Sequence, residues 1–448
     1  MYETRIAGWR TWPVRLAALA ALILVPLWYR LPDQPIVFAA YYPTRFLLFI
    51  PLIITCVLYI LLGFPGIRAL AVYKPRAGWA FMLLGLAIWM YASASWAFRS
   101  EADPALAVGT AIQFAVVAVY AIAIASVRLP SEWAAAALIF GLLWNALLAG
   151  QQAALQQAVG GIWGALGEFP IAVSQPRISV VQADGMRWLR PYGLLPHPNM
   201  LAGFFVAALS AAGAWLTHPD WRRWLLGVIA AVCGLWALLL TFSRGAFLSL
   251  ATAGVLLLLL LRFTGRWNRQ LALGTVAVAI VGVAFAISYY PYLLARAGVG
   301  AETTEQYSAG ERAELTDTAL QVIGEAPIVG VGAGNLPWRA AFILNERDTD
   351  VQGNYPHNAW LTVWGELGLV GVLLLGGAVF SALISAATMI HAAPADAAYR
   401  GALLAGFVGL CVVGMFEYYP VTLMQFQTLW WALAAVALAP ANVYVLDS

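Results

Sequence analysis

The chain has 448 residues, of which 62% are hydrophobic and 10% charged, and its mean hydropathy is +0.80. A soluble protein carries about 25% charged residues. The composition therefore excludes a water-soluble globular enzyme, a disordered chain and a secreted disulfide scaffold, and it fits an all-α polytopic membrane protein.

The net charge of +3 implies no partner by itself, and no nucleic-acid partner is expected. The basic residues are unusual in kind: Lys74 is the only Lys among 24 basic residues, and the rest are Arg. Arginine grips phosphate or carboxylate with a planar fork, although an Arg-rich genome would give the same bias, so position must decide. Cys56, Cys233 and Cys411 each lie in an apolar run and suggest neither a disulfide frame nor a metal site.

Arg5, Arg10 and Arg15 precede the first apolar stretch, which reads as an uncleaved first span. Runs of about 20 apolar residues span a bilayer as helices. Twelve are predicted, over 14–29, 44–63, 77–98, 105–127, 132–152, 199–217, 222–242, 245–262, 270–290, 358–390, 398–418 and 421–439. With the N-terminus inside, every inner loop is basic: Arg68, Lys74 and Arg76, then Arg128, Arg222 and Arg223, then Arg262, Arg266 and Arg269, then Arg400. Both termini are then expected in the cytoplasm. The chain reads as one integral membrane domain over 1–448, with outer segments at 153–198 and 291–357.

The outer segments and the joint at 243–245 hold Arg177, Arg187, Arg190, Arg244, Arg296, Arg312, Arg339 and Arg347. Topology does not require an Arg on that side, so a subset is expected to hold an anion. Arg187 and Arg190 precede Pro191-Tyr192-Gly193, and His197 stands in Pro196-His197-Pro198-Asn199 at the start of the sixth helix. Thr241-Phe242-Ser243-Arg244-Gly245 puts an Arg at a tight turn between two apolar helices, where a charge is expensive and marks a site. A snorkelling interfacial Arg is the competing reading.

Segment 291–357 holds nine of the 21 acidic residues. Ser308-Ala309-Gly310-Glu311 fits a capping box for a helix running to about Gly324, a short cap over the bundle. Arg312 would then lie in its first turn, against the helix dipole unless an anion binds there. Pairing with Glu311 or Glu314 is the alternative. Gly330-Val331-Gly332-Ala333-Gly334-Asn335 lacks the Lys-Ser/Thr of a phosphate loop and reads as a tight turn bringing backbone close to the bundle.

Tyr355-Pro356-His357-Asn358 leads straight into a long apolar helix. The positive end of that helix disfavours an imidazolium, and a neutral imidazole at His357 suits a general base. A capping role without chemistry is the competing reading. Glu366 and Glu417 lie inside apolar runs, as functional carboxylates or as helix-locking groups. The four histidines lack ligand spacing, so neither a metal nor another cofactor is expected.

Ser243-Arg244-Gly245 at a helix joint, Gly310-x-Arg312, the 330–335 loop, and His357-Asn358 before Gly365-Glu366-Leu367-Gly368-x-x-Gly371 occur in this order. Over 187–375 the chain resembles the O-antigen ligase and polymerase superfamily of bacterial inner membranes. The resemblance implies a glycosyltransferase of the multi-spanning GT-C type, inverting and metal-independent, with its site facing the periplasm. Its donor would be O-polysaccharide on undecaprenyl diphosphate, a membrane lipid, and its acceptor a hydroxyl of lipid A-core. By the same resemblance His357 is the base, and Arg244 and Arg312, with Arg190 less firmly, bind the diphosphate. Arg187, His197, Asn358, Glu366 and Glu417 are further candidates. Sister readings are a protein O-oligosaccharyltransferase, which often has a longer C-terminal region than the eight residues after Pro440 here, and an O-antigen polymerase. A transporter belongs to a different class and tends to show paired halves with broken helices, which this sequence does not display.

Overall fold

The computed structural model describes residues 8–29, 47–97, 103–183, 185–298, 303–347, 351 and 353–440. In chain order the helices are α1 (Gly8–Leu24), α2 (Phe49–Leu61), α3 (Ile67–Ala71), α4 (Lys74–Ala97), α5 (Pro104–Ser126), α6 (Ser131–Leu155) and α7 (Ile162–Ala165). A hairpin of β1 (Val180–Ala183) and β2 (Met186–Leu189) follows. Then come α8 (Pro198–Trp215), α9 (Trp221–Leu240), α10 (Arg244–Phe263), α11 (Arg269–Ser288), α12 (Tyr290–Arg296), α13 (Thr303–Glu325) and α14 (Leu336–Glu346). The chain closes with α15 (Ala359–Ala392), α16 (Ala397–Val413), α17 (Tyr419–Thr422) and α18 (Met424–Leu438).

The protein is an all-α, multi-pass membrane protein. A helix stands at each of the twelve expected spans, but among the described residues only nine helices are long and apolar enough to cross a bilayer. The helices at the first, second and last expected spans are shorter, at 17, 13 and 15 residues.

Burial ranks the helices. In α8, 89% of the apolar window is buried, against 17% in α11, so α8 is the axis of the bundle and α11 its rim. Leu273, Val276, Ile280, Val283 and Ile287 of α11 are exposed at alternating steps of three and four, one apolar helix face turned outward to lipid. At the centre, α16 packs against α8, α10 and α18, while α4 packs between α5 and α15.

Two expectations change here. The span at 358–390 is broken at Gly368, whose φ of 65° and ψ of −167° lie outside helical geometry. The loop 330–335 is what fits the break. Val331 N–H donates to Gly365 O at 2.9 Å, Gly332 N–H to Glu366 O at 2.8 Å, and Leu369 N–H to Pro327 O at 2.9 Å. Those groups lost their helical partners at the break, and buried backbone polar groups must be paired. The other change concerns α13, which begins at Thr303, upstream of the capping box at Ser308. Arg312 is therefore inside a helix rather than in its first turn, and no free backbone N–H stands beside it. α13 packs on α14 and α15 as the expected cap.

Candidate active site

The site assembles where four chain segments meet at one end of the bundle. Tyr355-Pro356-His357 leads into α15, whose cap is Asn358: its Oδ1 accepts from Trp360 N at 2.9 Å and Leu361 N at 3.1 Å. Asn358 Nδ2 donates to Met415 O at 3.3 Å, which ties this turn to the end of α16. Asn358 is thus a structural cap. α16 ends at Val413 and Tyr-Tyr-Pro at 418–420 opens α17, which leaves Glu417 in the connection.

Glu417 is the hub. Its Oε2 accepts from His357 Nδ1 at 3.1 Å. Its Oε1 accepts from Asn199 Nδ2 at 2.5 Å and faces Arg312 Nη2 at 3.5 Å. Burial pushes the carboxyl up, but the hydrogen bond and charge of His357, with Arg312 and His197, outweigh it and hold Glu417 below its ordinary value. An ionised Glu417 on Nδ1–H fixes the imidazole tautomer and leaves the Nε2 lone pair as the basic site. His357 keeps 25% of its side chain exposed, and Tyr418 packs edge-on to its ring with centroids 5.7 Å apart.

The turn between α9 and α10 supplies the opposite charge. Phe242 is buried at φ 49°, a left-handed turn that reverses the chain so that Arg244 starts α10. Arginines brace the turn's carbonyls: Arg190 Nε donates to Thr241 O at 2.5 Å and Arg296 Nε to Phe242 O at 3.1 Å. Arg244 Nη1 in turn donates to Arg296 O at 3.0 Å. Arg244, not Arg312, is therefore the cation at a helix N-terminus, where the dipole and free N–H groups favour an anion.

Between these walls lies a cleft of 340 Å³, bordered by Asn199, Ser243, Arg244, Arg296, Arg312 and Glu417, with Leu248 and Phe416 as apolar flanks. His357 does not border it directly and reaches it through Glu417. Arg190 is buried behind Asn199, donating to its Oδ1, and acts on the cleft at one remove. His197 caps α8, its Nδ1 accepting from Asn199 N at 3.1 Å, so its other nitrogen is the one that donates to Ser179 Oγ at 3.0 Å. Burial first, then the Arg190 charge, push the His197 imidazole down to about 3, and the neutral ring remains an acceptor.

The remaining candidates lie elsewhere. Arg187 is on exposed β2, donating to Gln175 O at 3.1 Å. Glu366 is buried in α15 beside the Gly368 break and borders a separate apolar pocket with Trp430 and Trp431. Among the described residues no three His, Cys, Asp or Glu gather as metal ligands. Two members were not singled out from sequence. Arg296 stood only in the roll of outer arginines, and Asn199 only within a helix-start motif. The signal for Asn199 was its place next to a capping His.

Residues 229–376 match the family model described as O-antigen ligase. That stretch contains Arg244, Arg296, Arg312 and His357. An O-antigen ligase of Salmonella typhimurium is 27% identical over 250 residues, covering 52% of this chain and 58% of that protein. The match thus spans less than two thirds of the relative's length. The two likenesses agree with each other and with the order of motifs along the chain, and both are to O-antigen ligases.

Proposed function

We propose that this protein transfers O-polysaccharide from undecaprenyl diphosphate to a sugar hydroxyl of lipid A-core. The observation that carries the reading is one cleft with Arg244, Arg296, Arg312 and Glu417 on its border, Glu417 holding His357 just behind it. The diphosphate sits among the guanidinium groups at the start of α10, and the prenyl chain leaves past Leu248 and Phe416 into lipid. His357 Nε2 takes the proton of the acceptor hydroxyl. The freed oxygen attacks the anomeric carbon. The bond from that carbon to the diphosphate oxygen breaks, and undecaprenyl diphosphate leaves with the electron pair, its charge held by arginine. Attack opposite the leaving group inverts the anomeric centre. The residues supply acid–base and electrostatic catalysis, the reading of a metal-independent transferase of the GT-C type.

The basic inner loops support a cleft on the periplasmic side of a bacterial inner membrane, with both termini in the cytoplasm. Labelling of a cysteine introduced at Arg347 by an impermeant reagent from the periplasm tests this. Labelling only from the cytoplasm overturns it.

The function is tested with purified protein, lipid-linked glycan and EDTA, with lipid A-core in one reaction and a pilin in another. Glycan on lipid A-core that disappears with His357→Ala supports the ligase. Modified pilin alone replaces the acceptor by protein. No transfer from a competent donor sinks the reading and leaves polymerase and transport assays to run.

A further inference from the structure

Beside the cleft, two apolar cores meet at one ring. The large core lies between the membrane helices. A smaller one belongs to the cap: Val322 of α13, Leu336 and Ile343 of α14, Val331 of the docked loop, and Tyr355. Tyr418 packs against both. The cap core is itself fixed to the bundle. Val331 N–H donates to Gly365 O at 2.9 Å, and a Cβ on Gly365 would lie 2.9 Å from Leu336 Cδ1.

Three rings follow one another from that core to the imidazole of the site. Tyr355 is 9% exposed, and its ring stands 5.1 Å from that of Tyr418 at an interplanar angle of 32°. Tyr418 in turn meets the His357 ring at 5.7 Å and 63°. Both separations fall in the range that aromatic pairs favour. Tyr355 and His357 flank Pro356, which locks its own φ and restricts the residue before it. The backbone between the first and third rings is therefore stiff, and Tyr418 closes the arrangement from another segment.

His357 needs this second hold. Its Nδ1 bonds Glu417 Oε2 at 3.1 Å, but one hydrogen bond fixes a point, and a ring can still swing about it. The edge-on contact with Tyr418 removes the swing and sets the direction of Nε2. A misplacement of about 1 Å near a reacting group can cost about a hundredfold in rate. We propose that Tyr418 and Tyr355 are positioning residues: through these two rings the docked cap aims the Nε2 lone pair of His357 at the acceptor hydroxyl. The inference rests on the reading of His357 as the base. It asks of Tyr418 the flat ring, not the hydroxyl.

Two measurements on the full chain in detergent test it. The first needs no substrate: heteronuclear NMR of protein with isotope-labelled histidines, the His357 signal identified by its loss in His357→Ala. Wild type and Tyr418→Phe should show one neutral tautomer, protonated at Nδ1. Tyr418→Leu, which keeps apolar bulk without the ring, should show both tautomers. The second measurement is glycan transfer. Tyr418→Leu should lose about tenfold to a hundredfold in kcat with donor KM unchanged, and Tyr418→Phe should keep the wild-type rate. Added to His357→Ala, Tyr418→Leu should slow the residual transfer no further, since no base is left to aim. A single tautomer in folded Tyr418→Leu overturns the proposal. So does a further loss in the His357→Ala background, which would make the ring a structural prop. Absence of transfer by wild type would instead strike at the transferase reading, with NMR still deciding how the ring is held. If Tyr418→Leu does not fold, Tyr355→Leu carries the same comparisons.

Discussion

Glu417 and His357, 60 residues apart in sequence, meet at 3.1 Å through the carboxylate Oε2 and the imidazole Nδ1. The other carboxylate oxygen is taken by Asn199 and faced by Arg312. One buried charge thus sets the imidazole and fixes the wall of the anion cleft. Glu417→Gln removes the charge and keeps the shape. Transfer is expected to slow by about a hundredfold or more, in kcat rather than donor KM, as when a base loses its orienting carboxylate. Glu417→Asp recovers part of the rate. Steady-state kinetics decide it: a Gln variant within a factor of two of wild type would separate Glu417 from the chemistry.

The arginines are separable by their other duties. Arg244 stands at the start of α10, whereas Arg312 also faces Glu417. Lysine keeps the charge of either but not the bidentate fork. Arg244→Lys and Arg312→Lys should each cost about a hundredfold in kcat/KM, the scale of one lost electrostatic contact to a leaving group. Arg187→Ala, on the exposed hairpin, should cost nothing. Full activity in both lysine variants would remove the diphosphate clamp.

The outline of the fold was legible because apolar run length is a one-dimensional signal, and each predicted span has its helix. The break at Gly368 was not, since a glycine inside an apolar run looks like any other until the loop that satisfies its carbonyls is seen. Among site residues, His357 and Arg244 stood out because each sits at a helix end next to a turn. The assignment of Arg312 to a helix start failed because the helix extends upstream to Thr303 through residues with no stop signal. Glu417 read as a lone carboxylate in an apolar run. Its partner stands just before another helix, and no spacing rule links the two.

His197 predicts a pH dependence of stability. Its ring is buried neutral, pushed down to about 3, whereas an unfolded histidine titrates near 6.5. Above about 6.5 both states are neutral, and this group contributes no slope. As pH falls from there toward 3, the unfolded chain binds a proton that the folded chain refuses, so stability falls. His197→Asn keeps an acceptor for Asn199 N–H and removes the titration. Its thermal midpoint in detergent should be less pH-dependent between about pH 6.5 and 4.5 than that of wild type. Parallel curves would show that His197 does not titrate as its burial implies.

The contact between the broken helix and the 330–335 loop makes a demand on two glycines that can be checked without any substrate. A Cβ on Gly368 would lie 2.1 Å from Ile328 O, and one on Gly330 would lie 2.3 Å from Glu366 O. Both residues have positive φ, 65° and 72°, so an alanine is strained in its backbone as well as crowded. The obstacles are backbone atoms in hydrogen-bonded register and have no rotamer to escape into. Gly368→Ala and Gly330→Ala are each expected to destabilise by about 3 kcal/mol or more, the sum of a forbidden backbone region and lost loop hydrogen bonds. Gly324, exposed in α13 with open space around it, is the control. Gly324→Ala should be neutral or stabilise by roughly 0.5–1 kcal/mol through helix propensity. Thermal unfolding of the three variants in the same detergent reads the difference. Equal midpoints for Gly368→Ala and Gly324→Ala would mean that the helix runs straight through residue 368 and that the loop docks elsewhere.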